Sequence, residues 1–125
     1  MNGLLLVMAG GAAGAGLRHL VGRAALTTLG TGWPWGTLIV NIAGGCAMGM
    51  LAGTLARLSS GGEAWRLLIG VGVLGGFTTF SAFSLETLLM IERGAWLQAF
   101  GYILLSTIGS IAALAAGLAF TRVAA

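Results

Sequence analysis

The 125 residues are 58% hydrophobic and 7% charged, with a mean hydropathy of +1.00; this excludes a water-soluble globular domain and describes an integral membrane protein. Asp and Lys are absent, all six cations are Arg, three Glu are the only acids, and the net charge of +3 is too sparse for a nucleic-acid surface. One His, one Cys and no carboxylate pair give an enzyme nothing to work with.

A membrane-crossing helix needs about 20 mostly apolar residues. Four segments qualify, at 3–27, 34–56, 65–91 and 96–120, predicting one all-α transmembrane domain over residues 1–125. The first begins with an apolar run from Leu4 to Leu17 that resembles a signal-peptide core. It lacks a basic stretch before it, so it reads as a retained helix. Arg18, His19 and Arg23 fall in its second half. Arg23 can snorkel to the interface, Arg18 needs a polar partner or a wet cavity, and His19 reads as a helix-end residue. Gly10 and Gly14 make a flat face for close helix contact, as do Gly45, Gly49 and Gly53 in the second span, and such faces support assembly.

The linker Gly30-Thr31-Gly32-Trp33-Pro34-Trp35 joins turn residues to a proline suited to a helix start and to two interfacial tryptophans. Asn41 lies a third of the way along the second span. A buried amide is costly unless bonded, so it is either interhelical glue or part of a pathway. Cys46 has no His or second Cys at ligand spacing and reads as a small core residue.

The third span carries Gly75-Gly76-Phe77-Thr78-Thr79-Phe80-Ser81-Ala82-Phe83-Ser84 in its interior. Paired glycines weaken a helix, and hydroxyl side chains compete for backbone partners, which predicts a break at membrane depth. Broken helices build ion sites, because the freed carbonyls face cations and helix N-termini face anions. Phe80 and Phe83 share a face if the helix resumes, with Glu86 three residues on. Glu86 is a helix-end residue, a partner for Arg18 or a gate at a pore mouth, and the sequence does not choose. In the fourth span Tyr102, Ser106 and Ser110 recur every four residues and form a polar stripe on one helix face.

Orientation follows the arginines. One side collects Arg57, Arg66 and Arg122 and the other Arg18, Arg23 and Arg93, so the rule gives no preference. A chain without charge bias can insert both ways, and opposite copies can pair as an antiparallel dimer that imitates an inverted repeat.

Three segments carry a family resemblance over nearly the whole chain: Gly10 to Arg18, Trp35 to Gly44 and Gly75 to Glu86. With Gly-Phe-Thr-Thr-Phe-Ser at their core, they resemble the Fluc or CrcB-like fluoride channels. The resemblance implies a multi-pass protein of the bacterial plasma membrane (the cell inner membrane), a dual-topology homodimer in membrane lipid. It implies two antiparallel fluoride pores for passive efflux, hence fluoride resistance, and a structural sodium ion (Na+) at the centre of the interface. By motif position, Phe80 and Phe83 present ring edges to the ion and Asn41 hydrogen-bonds it. Tyr102, Ser106 and Ser110 line the track, Arg18 stands at the vestibule, and Gly75 and Thr78 offer backbone carbonyls to sodium. The alternative is a small dual-topology multidrug exporter, which needs a carboxylate in the first span, where this chain has none.

Overall fold

A computed structural model describes residues 2–124. Its elements are α1 (Gly3–Leu29), α2 (Trp35–Leu55), α3 (Gly62–Trp65), a π-helical stretch π1 (Arg66–Leu74), α4 (Gly75–Phe77), α5 (Ser81–Glu92) and α6 (Trp96–Val123). Among the described residues there is no strand. Four helical runs are long and apolar enough to cross a membrane: α1, α2, residues Gly62–Glu92 taken together, and α6. They match the predicted spans to within three residues at each end.

Local chemistry sets the ends. The Asn2 side chain accepts the Leu4 N–H at 2.7 Å and caps α1. Pro34 precedes α2, where its missing N–H costs nothing. After α5 the chain turns at Gly94 (φ 80°), with Gly94 N–H on Ile91 O and Ala95 N–H on Met90 O. That pair of bonds is a Schellman stop, and its left-handed residue favours glycine.

Two glycine-lined seams hold the bundle together. A methyl group added at Gly10 or Gly14 of α1 would strike the carbonyls of Leu68 and Val73, and one at Gly72 would come within 2.9 Å of Gly10 Cα. On the other side, additions at Gly49 of α2 and Gly117 of α6 would strike the carbonyls of Leu114 and Cys46. Backbone therefore lies on backbone along α1–π1 and α2–α6. Lipid tails are as apolar as leucine, so this close van der Waals packing replaces the hydrophobic drive available in water. The glycine faces that the sequence offers for assembly are thus filled by contacts within the chain. Cys46 is half-buried in the second seam.

The helix of π1 is wide: Gly75 N–H reaches Gly70 O five residues back. Nothing in the sequence marked this change of winding. Large apolar side chains stay on the outside, among them Leu97, Ile111 and Phe80, as expected of a surface that meets lipid or another subunit.

Candidate functional site

Helical geometry stops at Phe77 and resumes at Ser81, with Thr78 extended at φ −87°, ψ 161°. In an uninterrupted helix, Thr79 N–H would bond Gly75 O and Ala82 N–H would bond Thr78 O. Both donors are diverted here. Thr79 N–H goes to Asn41 Oδ1 at 2.8 Å, and Ala82 N–H goes to Thr79 Oγ1 at 3.1 Å. The neighbouring carbonyls are occupied: Gly76 O accepts from Arg18 Nε at 3.0 Å, and Thr79 O from Asn41 Nδ2 at 2.9 Å. Among the described residues, no hydrogen bond between segments ends on the carbonyls of Gly75, Phe77 or Thr78. Gly75 is exposed on the protomer surface and Thr78 is half-buried.

Beside the break lies a cavity of about 330 Å³, walled by Asn41 and Met48 from α2, Thr79 and Phe80 from the break, Phe83 from α5, and Ser106 and Ser110 from α6. Asn41 has one amide hydrogen left after its two bonds to Thr79. Many hydroxyls elsewhere in the helices satisfy themselves on the preceding turn, as Thr107 does on Ile103 O at 2.7 Å and Ser84 on Phe80 O at 2.8 Å. Ser106 and Ser110 do not. Among the described residues, theirs are the buried side-chain oxygens with no hydrogen-bond partner. A buried hydroxyl without a partner costs about 1–3 kcal/mol, so each calls for an explanation.

The aromatic side chains form a run. Phe80 and Phe83 have ring centroids 5.5 Å apart, and Phe83 and Tyr102 are 5.2 Å apart, both pairs tilted by 47°. Phe80 is 76% exposed, while Phe83 and Tyr102 are buried. Tilted rings turn positive edges as well as faces toward their surroundings.

Glu86 accepts hydrogen bonds from Thr37 Oγ1 at 3.0 Å and Tyr102 OH at 3.1 Å. It forms no ion pair with Arg18, whose Nε is held by Gly76 O. That removes one of the three readings of Glu86. Among the described residues the one ion pair is Arg66 with Glu63, both exposed. A separate cleft of about 310 Å³ is lined by Arg18, His19 and Arg23 of α1 together with Thr37 and Thr79, an electropositive approach to the break. His19 is therefore not a helix-end residue, since α1 continues to Leu29.

Reasoning from sequence missed Thr37 and Thr79. Thr37 lies four residues before Asn41, one turn away on the same helix, and Thr79 is a hydroxyl residue just ahead of a restarting helix, the usual capping position. Among the described residues no cluster of three or more His, Cys, Asp or Glu can hold a metal. A cation here would have only carbonyl and hydroxyl oxygens, which suit hard ions.

Residues 5–118 match the family described as CrcB-like protein, Camphor Resistance (CrcB). The chain belongs to the CrcB-like family. It is 62% identical over 123 residues to the fluoride-specific ion channel FluC of Phenylobacterium zucineum, covering 98% of this chain and 97% of that one. It is 56% identical over 122 residues to the protein of the same name from Sphingopyxis alaskensis, with the same coverage. Against that from Caulobacter sp. strain K31, identity is 58% over 123 residues, covering 98% and 96% of the two chains. The CrcB-like match takes in the break, the cavity and both glycine seams.

Proposed function

We propose that this chain is a fluoride-selective channel rather than an enzyme, and that it carries fluoride passively out of the cell. The observation that carries this reading is the pair of unpartnered hydroxyls, Ser106 and Ser110, facing a cavity walled by Asn41, Phe80 and Phe83. The name shared by the relatives supports it.

Fluoride is the smallest halide and holds water most tightly. Removing an ion of that kind from water costs on the order of 20 kcal/mol in an idealised low-dielectric medium, so replacement donors must follow it. Hydroxyl and amide hydrogens from Ser106, Ser110 and Asn41 and the ring edges of Phe80 and Phe83 are such donors, none carries a fixed charge, and Tyr102, whose hydroxyl hydrogen goes to Glu86, backs them with its ring against Phe83. A fixed cation in the track would bind the anion too well for conduction. Arg18 and its neighbours gather anions at the vestibule instead.

The functional unit in this reading is a dual-topology homodimer in the bacterial inner membrane. The even split of arginines supports insertion in both directions. The backbone interruption at Thr78 then lies at mid-membrane, where non-helical backbone must be buried or line a cavity. Two copies meet there, and the exposed Gly75 of each brings carbonyls to a shared centre. Gly75 O and Thr78 O from both protomers would hold a structural sodium ion, which offsets repulsion between anions in the two pores. The freed state of these carbonyls fits a hard alkali cation.

Hydrogen fluoride crosses membranes uncharged and ionises in a near-neutral cytoplasm, and a negative-inside potential drives the anion back out through an open pore. The test is expression in a bacterium stripped of its own fluoride export. Restored growth in fluoride at mildly acidic pH is the expected result. Continued sensitivity together with new resistance to cationic dyes would replace this reading with the exporter.

A further inference from the structure

We infer that the side chains of Asn41 and Thr79 are positioning residues for the central cation, holding away the two amide hydrogens that would otherwise close on Gly75 O and Thr78 O. The inference rests on the sodium reading proposed above and adds to it what keeps those two carbonyls available.

A carbonyl within a continuous helix is satisfied by the N–H four residues on, and one at a helix end gains that donor whenever the chain can wind on to deliver it. Thr79 N–H is the natural partner of Gly75 O, and Asn41 Oδ1 takes it at 2.8 Å from a different helix. Ala82 N–H is the natural partner of Thr78 O, and Thr79 Oγ1 takes it at 3.1 Å. Each diversion matches one carbonyl. Asn41 also pulls on Thr79 O through Nδ2 at 2.9 Å, which fixes the peptide on both sides of Thr79 and resists rewinding into α4. Without these side chains the break can wind on for another turn. Gly75 O and Thr78 O would then point along the helix and accept N–H groups, leaving the cation with poorer ligands.

The two residues predict different behaviour from a residue that only packs. Thr79→Val keeps the shape of the side chain and removes the acceptor, whereas Thr79→Ser keeps the acceptor. Asn41→Leu removes both amide groups.

The experiment measures the thermal unfolding midpoint and the dimer fraction of purified, detergent-solubilised protein while sodium chloride replaces N-methyl-D-glucamine chloride at fixed ionic strength. Fluoride flux against sodium concentration is followed in parallel. Sodium should stabilise the unsubstituted protein. Thr79→Val and Asn41→Leu should need roughly tenfold more sodium for the half-maximal effect, and Thr79→Ser should stay within about twofold, given the worth of one competing hydrogen bond. Unchanged sodium midpoints in both Thr79→Val and Asn41→Leu, beside a clear response of the unsubstituted protein, would overturn the inference alone. No sodium response in the unsubstituted protein would overturn the sodium reading, and this inference with it. If Asn41→Leu fails to fold, the Thr79→Val and Thr79→Ser pair still decides.

Discussion

Asn41 and Thr79 exchange two hydrogen bonds across the bundle, Thr79 N–H to Asn41 Oδ1 at 2.8 Å and Asn41 Nδ2 to Thr79 O at 2.9 Å. A side-chain amide thus pairs with a peptide as a neighbouring strand would, and it steadies backbone that belongs to no helix. Glue and pathway were open alternatives for Asn41 in the sequence, and the geometry is compatible with both: its amide joins two helices, one amide hydrogen is left over, and the residue lines the cavity. Asn41→Ala removes both bonds, at about 0.5–1.5 kcal/mol each. The expected result is a clear drop in the unfolding midpoint together with a large loss of fluoride flux.

Ser106 and Ser110 should behave in the opposite way. Their hydroxyls have no partner among the described residues, so replacing either with Ala leaves no described group unpaired. Stability should hold or rise while fluoride flux falls. Thr107 is the control, because its hydroxyl is spent on Ile103 O. Thr107→Val should leave flux within about twofold, since the bond it loses is local to the helix. Thermal unfolding and flux measured on the same preparations check both statements.

The glycines divide by what surrounds them. Gly14→Ala and Gly49→Ala would drive a methyl group into the carbonyls of Val73 and Leu114, overpacking that costs about 1–3 kcal/mol. Gly16→Ala meets nothing within 4 Å, and alanine is the better helix former by about 1 kcal/mol. Unfolding midpoints should fall for the first two and hold or rise for the third.

Tyr102 joins two parts of the site, since its ring packs on Phe83 and its hydroxyl donates to Glu86. Tyr102→Phe keeps the packing and leaves Glu86 with Thr37 as its hydrogen-bond donor. The elution volume in gel filtration should not change, with fluoride flux reduced several-fold.

Much of this was legible because membrane helices obey coarse rules. Length and hydropathy place the four spans, and the Gly-Gly pair lies just ahead of Thr78, which is extended at φ −87°, ψ 161°. The details that failed depend on which neighbour each residue meets. Gly45, Gly49 and Gly53 form a stripe whether it faces a second copy or α6, and spacing cannot tell the two apart. Arg18 and Glu86 have opposite charges, but Arg18 is drawn to Gly76 O and Glu86 to two hydroxyls. His19 looked terminal because polar residues crowd that stretch, while α1 runs on to Leu29. The wide winding of π1 has no local signature, and it falls where Gly72 lies against Gly10 of a distant helix.

As a fluoride-selective channel, this protein should pass fluoride and exclude larger halides. Purified protein in liposomes loaded with potassium fluoride or potassium chloride, with valinomycin to carry the counter-charge, tests it with ion-selective electrodes. The account predicts rapid fluoride release, no chloride release above that of empty liposomes, and a reduced fluoride rate in Phe80→Ile. Equal release of the two halides, or no fluoride release from well-folded protein, would contradict it.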